Sequence, residues 1–208
     1  MTPNLAVVKK PSQESSFAHP APSWLASQMP PVYRSRFEEI QRLAAEIQGM
    51  DRMGRLLWEQ GATLKDVVNE AFAALKTKPE WTEDGSCLMV RVDPARRVLV
   101  HVVTTDGPLE RNGEGVANAF KILQTVAGAE DRIVLVTTGQ RTIPPHERGE
   151  TVSTEASELL RRMGVNVLPC TTLFNVWMLS LTNMSEARTY LELLHAQDGG
   201  TFKTKSRT

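Results

Sequence analysis

Apolar residues recur at helical spacing from Tyr33 onward. Phe37, Ile40, Ala44 and Ile47 stand three or four residues apart, with Arg34, Arg36, Glu38, Glu39, Arg42 and Glu46 filling the other faces. The pattern predicts an amphipathic helix over 33–53 with a narrow apolar stripe. Such a stripe suits pairing with another helix, including a second copy of the chain, and equally suits packing on the chain's own domain. A break is expected near Gly49 and Gly54, with Leu56 and Leu57 opening the next helical segment. Thr63 is expected to cap a helix over 64–75, whose apolar face is Val67, Val68, Ala71, Phe72 and Leu75.

Beyond Pro79 the period changes. Residues 87–92 and 98–104 read as strands, and Asp93-Pro94-Ala95-Arg96 between them reads as a tight turn. Residues 113–126 predict a helix with Val116, Ala119, Phe120 and Leu123 on one face. The run 133–137 is continuously apolar, as in a strand buried on both faces. A loop with Pro144-Pro145 fills 139–149. Ser153 can cap a helix through Met163, stopped by Gly164. Residues 165–168 read as another buried strand, and Thr171 or Thr172 can cap a helix beginning near Leu173. The succession predicts an α/β fold, a mixed central sheet flanked by helices.

Composition narrows the function classes. The 208 residues carry 24 Lys+Arg against 24 Asp+Glu, and this zero net charge excludes a strongly basic nucleic-acid binder while leaving room for a local patch. An apolar fraction of 41% supports a core. Two cysteines, Cys87 and Cys170, are too few for a disulfide scaffold. No apolar run is long enough for a membrane span and no secretory leader is evident, so a cytoplasmic protein is expected. The expected organisation is a disordered Pro/Ser-rich tail over 1–32, the amphipathic helix over 33–53, an α/β domain over 54–182, and a C-terminal helix with a basic flexible tail over 183–208. Trp24 stands out in the first tail as a candidate docking anchor.

Several phrases taken together resemble the restriction-endonuclease-like superfamily, the PD-(D/E)XK nucleases. Leu56-Leu57-Trp58-Glu59 followed by Gly61-Ala62-Thr63-Leu64 is similar to the opening helix of its small bacterial members. The hairpin over 87–104 is similar to their catalytic hairpin. Ile143-Pro144-Pro145-His146-Glu147-Arg148 resembles the loop after their third strand, and residues 167–174 resemble their last strand and capped helix. The resemblance covers residues 54–180 and implies magnesium-assisted phosphodiester hydrolysis. It places an acid at the start of the first hairpin strand, and an acid and a Lys at alternate positions of the second.

The corresponding positions here are Ser86 or Cys87, then His101 and Val103. A valine ligates nothing, and a one-residue slip in register exchanges one valine-rich face for another. The expectation is therefore a degenerate member without catalytic residues, cofactor or metal, acting as a protein-interaction or scaffold module that pairs with itself or joins a larger assembly. Phe37, Ile40, Ala44 and Ile47 are the candidate contacts. Two alternatives stand beside it. One is a non-cleaving DNA-binding protein using Arg96, Arg97, Arg141 and Arg148. The other is a nuclease whose acids have migrated, with Asp84 and Asp106 as candidates ahead of Asp93 and Glu110, all four explicable as turn residues. His101 and His146 lack the partners of a catalytic or zinc site in the sequence and read as hydrogen-bonded or exposed histidines.

Overall fold

A proline opens the helix labelled α1 (Pro31–Gly54). Its fixed φ and missing N–H suit a first helical position. In the computed structural model, which describes residues 28–128 and 130–202, this helix continues through Gly49 to Gly54. The break predicted near these glycines falls at Gly54, where the α-helix ends and a 3-10 turn begins, and not at Gly49, since one interior glycine costs only about 1 kcal/mol. Every residue from Pro30 through Arg52 is exposed. The chain forms two compact units that divide within α1, between Glu46 and Ile47. Trp24 and most of the predicted tail, together with Lys203, Lys205 and Arg207, lie outside the described residues.

After the end of α1, the second unit continues with a 3-10 turn, Arg55–Leu57, followed by α2 (Gly61–Ala74). That helix starts at Gly61 rather than after Thr63, with Gln60 as its N-cap and no side-chain cap. Its apolar face is as predicted: Val67, Val68, Ala71 and Phe72 are buried. Then follow β1 (Glu80–Trp81), β2 (Leu88–Arg91) and β3 (Arg97–Val103), which pair as an antiparallel meander. The β2–β3 turn is built by Asp93, whose Oδ1 accepts the amides of Ala95 and Arg96. Helix α3 (Glu114–Thr125) leads to β4 (Arg132–Thr137), which lies parallel to β3. Helix α4 (Thr154–Arg162) follows, with Ser153 accepting from the Ala156 amide as predicted and Gly164 just beyond it in the left-handed region (φ +66°). The chain closes with β5 (Val165–Pro169), α5 (Cys170–Ser180), α6 (Met184–Ala196) and β6 (Gly200–Thr201).

The result is α/β, a six-stranded mixed sheet in the order β1 to β6, with β3 to β6 parallel. Strand alternation divides the core. Val98, Val100 and Val102 of β3 join the cluster covered by α2, α5 and α6. Leu99 and Val103 join the opposite cluster, with α3 and α4. Two local readings are corrected. Neither Thr171 nor Thr172 caps α5, which starts at Cys170 directly from the extended Pro169. Phe120 is 53% exposed, and Ile122 takes the buried place on α3. The two-residue edge strands β1 and β6 are too short to leave an alternating pattern. No helix among the described residues is long and apolar enough to cross a membrane.

Candidate functional site

β3 turns His101 toward α3, and the turn before β2 brings Asp84 and Ser86 to the same place. Together with Asn118, Lys121 and Thr125 of α3 they line a pocket of about 140 Å³. Three of the residues singled out in the hairpin therefore do meet: Asp84, Ser86 and His101. Cys87 does not reach the pocket because it is fully buried in the core. Val103 packs close to Gly115 at the start of α3.

His101 Nδ1 lies 2.8 Å from the Ser86 carbonyl oxygen, which can only accept, so Nδ1 carries a hydrogen. The Asn118 side-chain amide lies 3.4 Å from Nε2. Asp84 Oδ1 accepts the Thr82 hydroxyl (2.7 Å), the Ser86 hydroxyl (2.8 Å) and the Ser86 amide (3.0 Å). These donors, the Thr82 hydroxyl foremost, pull the Asp84 carboxyl from 3.8 down to about 2. Asp84 is thus a fixed negative charge at neutral pH. The Ser86 hydroxyl is committed to Asp84, and His101 meets the carbonyl of Ser86 rather than its hydroxyl. A serine–histidine nucleophile pair is not assembled.

The Asp84 shift makes a prediction. The group's contribution to stability is fully present above pH 3.8 and is lost as pH falls through about 2. The Ser86 amide resonance is expected to hold steady through the ordinary carboxylate range and to titrate near pH 2. In Asp84→Asn that titration should vanish. An inflection near pH 4 instead would show that the turn does not hold the carboxylate.

The remaining candidates are dispersed. Asp93 pairs with Arg96 at 2.5 Å and Asp106 with Arg141 at 2.5 Å, in separate turns. The Glu110 carbonyl accepts the Gly113 amide, leading into α3. Arg97 makes a bidentate pair with Asp131, both bonds 2.9 Å. Arg148 points its guanidinium at backbone carbonyls, those of Leu57 (2.5 Å) and Ile143 (2.8 Å) foremost. All four arginines read as phosphate contacts are thus engaged within the fold. His146 is exposed beside Glu147. Burial raises the thiol pKa of both cysteines, that of Cys170 to about 12, which leaves neither as a thiolate nucleophile at neutral pH. Among the described residues, no group of three or more His, Cys, Asp or Glu is placed to hold a metal ion.

Sequence reasoning missed Asn118 and Lys121. They sit three apart on α3, sharing a face with Ile122 and Thr125. Placing Phe120 inside rotated the helix and hid them.

On α1, Phe37, Ile40 and Ile47 are 46%, 63% and 58% exposed, and Ala44 is exposed beside them. Tyr33, Leu43 and Met50 extend the same stripe and are exposed too. The sequence reading missed Leu43 and Met50, although Leu43 follows Ile40 by three residues and Met50 follows Leu43 by seven.

Compared with known proteins, the chain matches no family model, no curated protein and no solved structure.

Proposed function

We propose that the chain is a non-catalytic, nuclease-like α/β module that associates with a second copy of itself through the apolar stripe of α1. The observation that carries this reading is the exposure of Val32, Tyr33, Phe37, Ile40, Leu43, Ile47 and Met50 along one helix. Tyr33, Ile40 and Ile47 repeat every seven residues, as do Leu43 and Met50, which is the spacing two paired helices require. Identical stripes are self-complementary about a two-fold axis. Stable interfaces bury about 1,200–2,000 Å² in total, which is the scale a helix pair sealed along such a stripe must reach. The nuclease-like fold is supported by the order of α2, the antiparallel strands, α3 and the parallel β4. The hairpin supports loss of chemistry, since β3 presents valines on one face and, on the other, His101 among leucine and valine with Arg97 at its start, so that neither face offers a carboxylate.

Sedimentation equilibrium tests the pairing. The full chain is expected to dimerise, and Ile40→Glu/Ile47→Glu is expected to raise Kd at least about 100-fold by burying charge in the seam. The helical circular dichroism of the second unit should be unchanged. A wild-type chain that stays monomeric at high micromolar concentration sinks the reading.

One observation favours a second reading, a metal-dependent nuclease with migrated acids: Asp84, His101 and Lys121 line one pocket. Asp106, paired with Arg141, does not join them. Incubation with DNA and magnesium or manganese decides, because cleavage that disappears in Asp84→Ala would replace the first reading with this one.

A further inference from the structure

A cleft of about 850 Å³ in the second unit runs along α4 from Thr154 to Arg161, bounded by Pro169, Thr172, Thr201 and Phe202, and shares no residue with the His101 pocket. Its position follows from the topology. From β4 the chain runs to α4, which packs on one face of the sheet, and from β5 it runs to α5, which packs on the other. α4 and the start of α5 therefore stand apart, and the cleft lies between them and β6. The volume falls in the range of small-molecule sites.

The lining specifies a chemistry. Thr154 and Ser157 of α4, Thr172 of α5 and Thr201 of β6 present hydroxyls around the cleft, with Phe202 on the apolar wall. A hydroxyl both donates and accepts, so a ring of them matches the hydroxyls of a polyol. Arg161 stands on the same wall, exposed, and none of the ion pairs that engage Arg97, Arg141 and Arg162 involves it. Its donor fork is available to a phosphate or a carboxylate. Two acids sit at the rim. Glu158 is held by Arg162 at 2.5 Å, and Glu150 remains, which disfavours a bare polyanion and favours a molecule with one anionic group on a neutral, hydroxylated body.

We infer that this cleft is a binding site for a hydroxylated small-molecule oxyanion, a sugar phosphate or a sugar acid. Arg161 takes the anionic group, and Thr154, Ser157, Thr172 and Thr201 take the hydroxyls. The inference is independent of α1 pairing.

Titration of the full-length chain with ribose 5-phosphate, ribonate, ribose and inorganic phosphate, followed by amide chemical shifts, tests it. One of the two hydroxylated anions is expected to bind saturably, at least about tenfold more tightly than ribose or phosphate alone, with shifts centred on residues 154–157 and 172. The better of the two identifies the anionic group. Arg161→Ala should weaken the anion about tenfold and leave ribose unchanged, and Thr172→Val should weaken ribose and anion alike. Neither change touches a core contact, so thermal unfolding should stay near wild type. Three results overturn the inference: no saturable binding of either anion at about 10 mM, affinity unchanged in Arg161→Ala, or shifts centred elsewhere.

Discussion

Replacing Arg148 by Ala is expected to destabilise the second unit by about 3 kcal/mol, because two short bonds from a charged donor to half-buried carbonyls are lost. The guanidinium donates from Nη2 to Leu57 O at 2.5 Å and from Nε to Ile143 O at 2.8 Å, with longer contacts to Thr138 and Arg141 carbonyls at 3.4 Å. It ties the 139–149 loop to the 3-10 turn that follows α1, across 91 residues of sequence. A planar fork reaches several carbonyls at once, which a lysine ammonium on one stem cannot, so Arg148→Lys should recover less than half of the loss. Urea unfolding of the three proteins measures it. Arg161→Ala serves as the contrast, expected within about 0.5 kcal/mol of wild type as an exposed side chain. If Arg148→Ala costs no more than that, the guanidinium is free, and the phosphate-binding role that the sequence suggested returns.

The same residue shows where sequence reading stops. Arg148 sits in a Pro-rich loop and looks like an available cation, since nothing local reveals a carbonyl 91 positions earlier. Arg97 is the same case, its partner Asp131 lying 34 residues away. What local physics decides was legible. Ser153 caps α4, Asp93 builds the hairpin turn, and the 133–137 run is a buried parallel strand. The two faces of β3 were legible for the same reason, because strand alternation assigns His101 and the valines to faces without tertiary information. The pocket beside it was only half legible. Its strand side could be named, but Asn118 and Lys121 depend on how α3 is rotated about its axis, and one exposed phenylalanine misdirects that rotation. The cleft between α4 and β6 left no trace in the sequence. It is made by a change of sheet face and by an edge strand of two residues.

That edge strand depends on a tight return. Gly199 adopts φ +79°, and a Cβ there would lie 2.7 Å from the Arg161 Cα, so the chain passes against the end of α4 where only glycine fits. Two of the cleft's walls, α4 and β6, are set against each other at this contact. The arrangement is built into the backbone, whereas α1 pairing depends on side chains that are exposed in the single chain. The two proposed activities draw on different parts of the molecule and can fail separately.

The second large effect is expected at Asn166, fully buried on β5. Its Nδ2 donates to Leu194 O at 2.8 Å and Gln197 O at 3.1 Å, satisfying carbonyls at the end of α6 and holding the return to β6. Both partners only accept, so the amide orientation is fixed. Asn166→Asp keeps the shape and places carboxylate oxygens against those carbonyls. Protonated, the side chain can still donate one hydrogen bond, whereas ionised it donates none and is buried without a cation. Burial and the facing carbonyls raise the folded-state pKa of the introduced carboxyl well above its unfolded value of about 3.9. The folded state then binds more protons than the unfolded state, so stability falls as pH rises through this interval, by about 1.4 kcal/mol per unit. The loss at pH 7 is expected to reach about 4 kcal/mol, shrinking to about 1 kcal/mol near pH 4. Asn166→Ala removes the same two bonds without adding charge, and should cost about 2 kcal/mol at both pH values. Urea midpoints at pH 4 and pH 7 separate the two substitutions. An Asn166→Asp profile parallel to that of Asn166→Ala would mean that the side chain reaches water and that the α6 carbonyls do not depend on it.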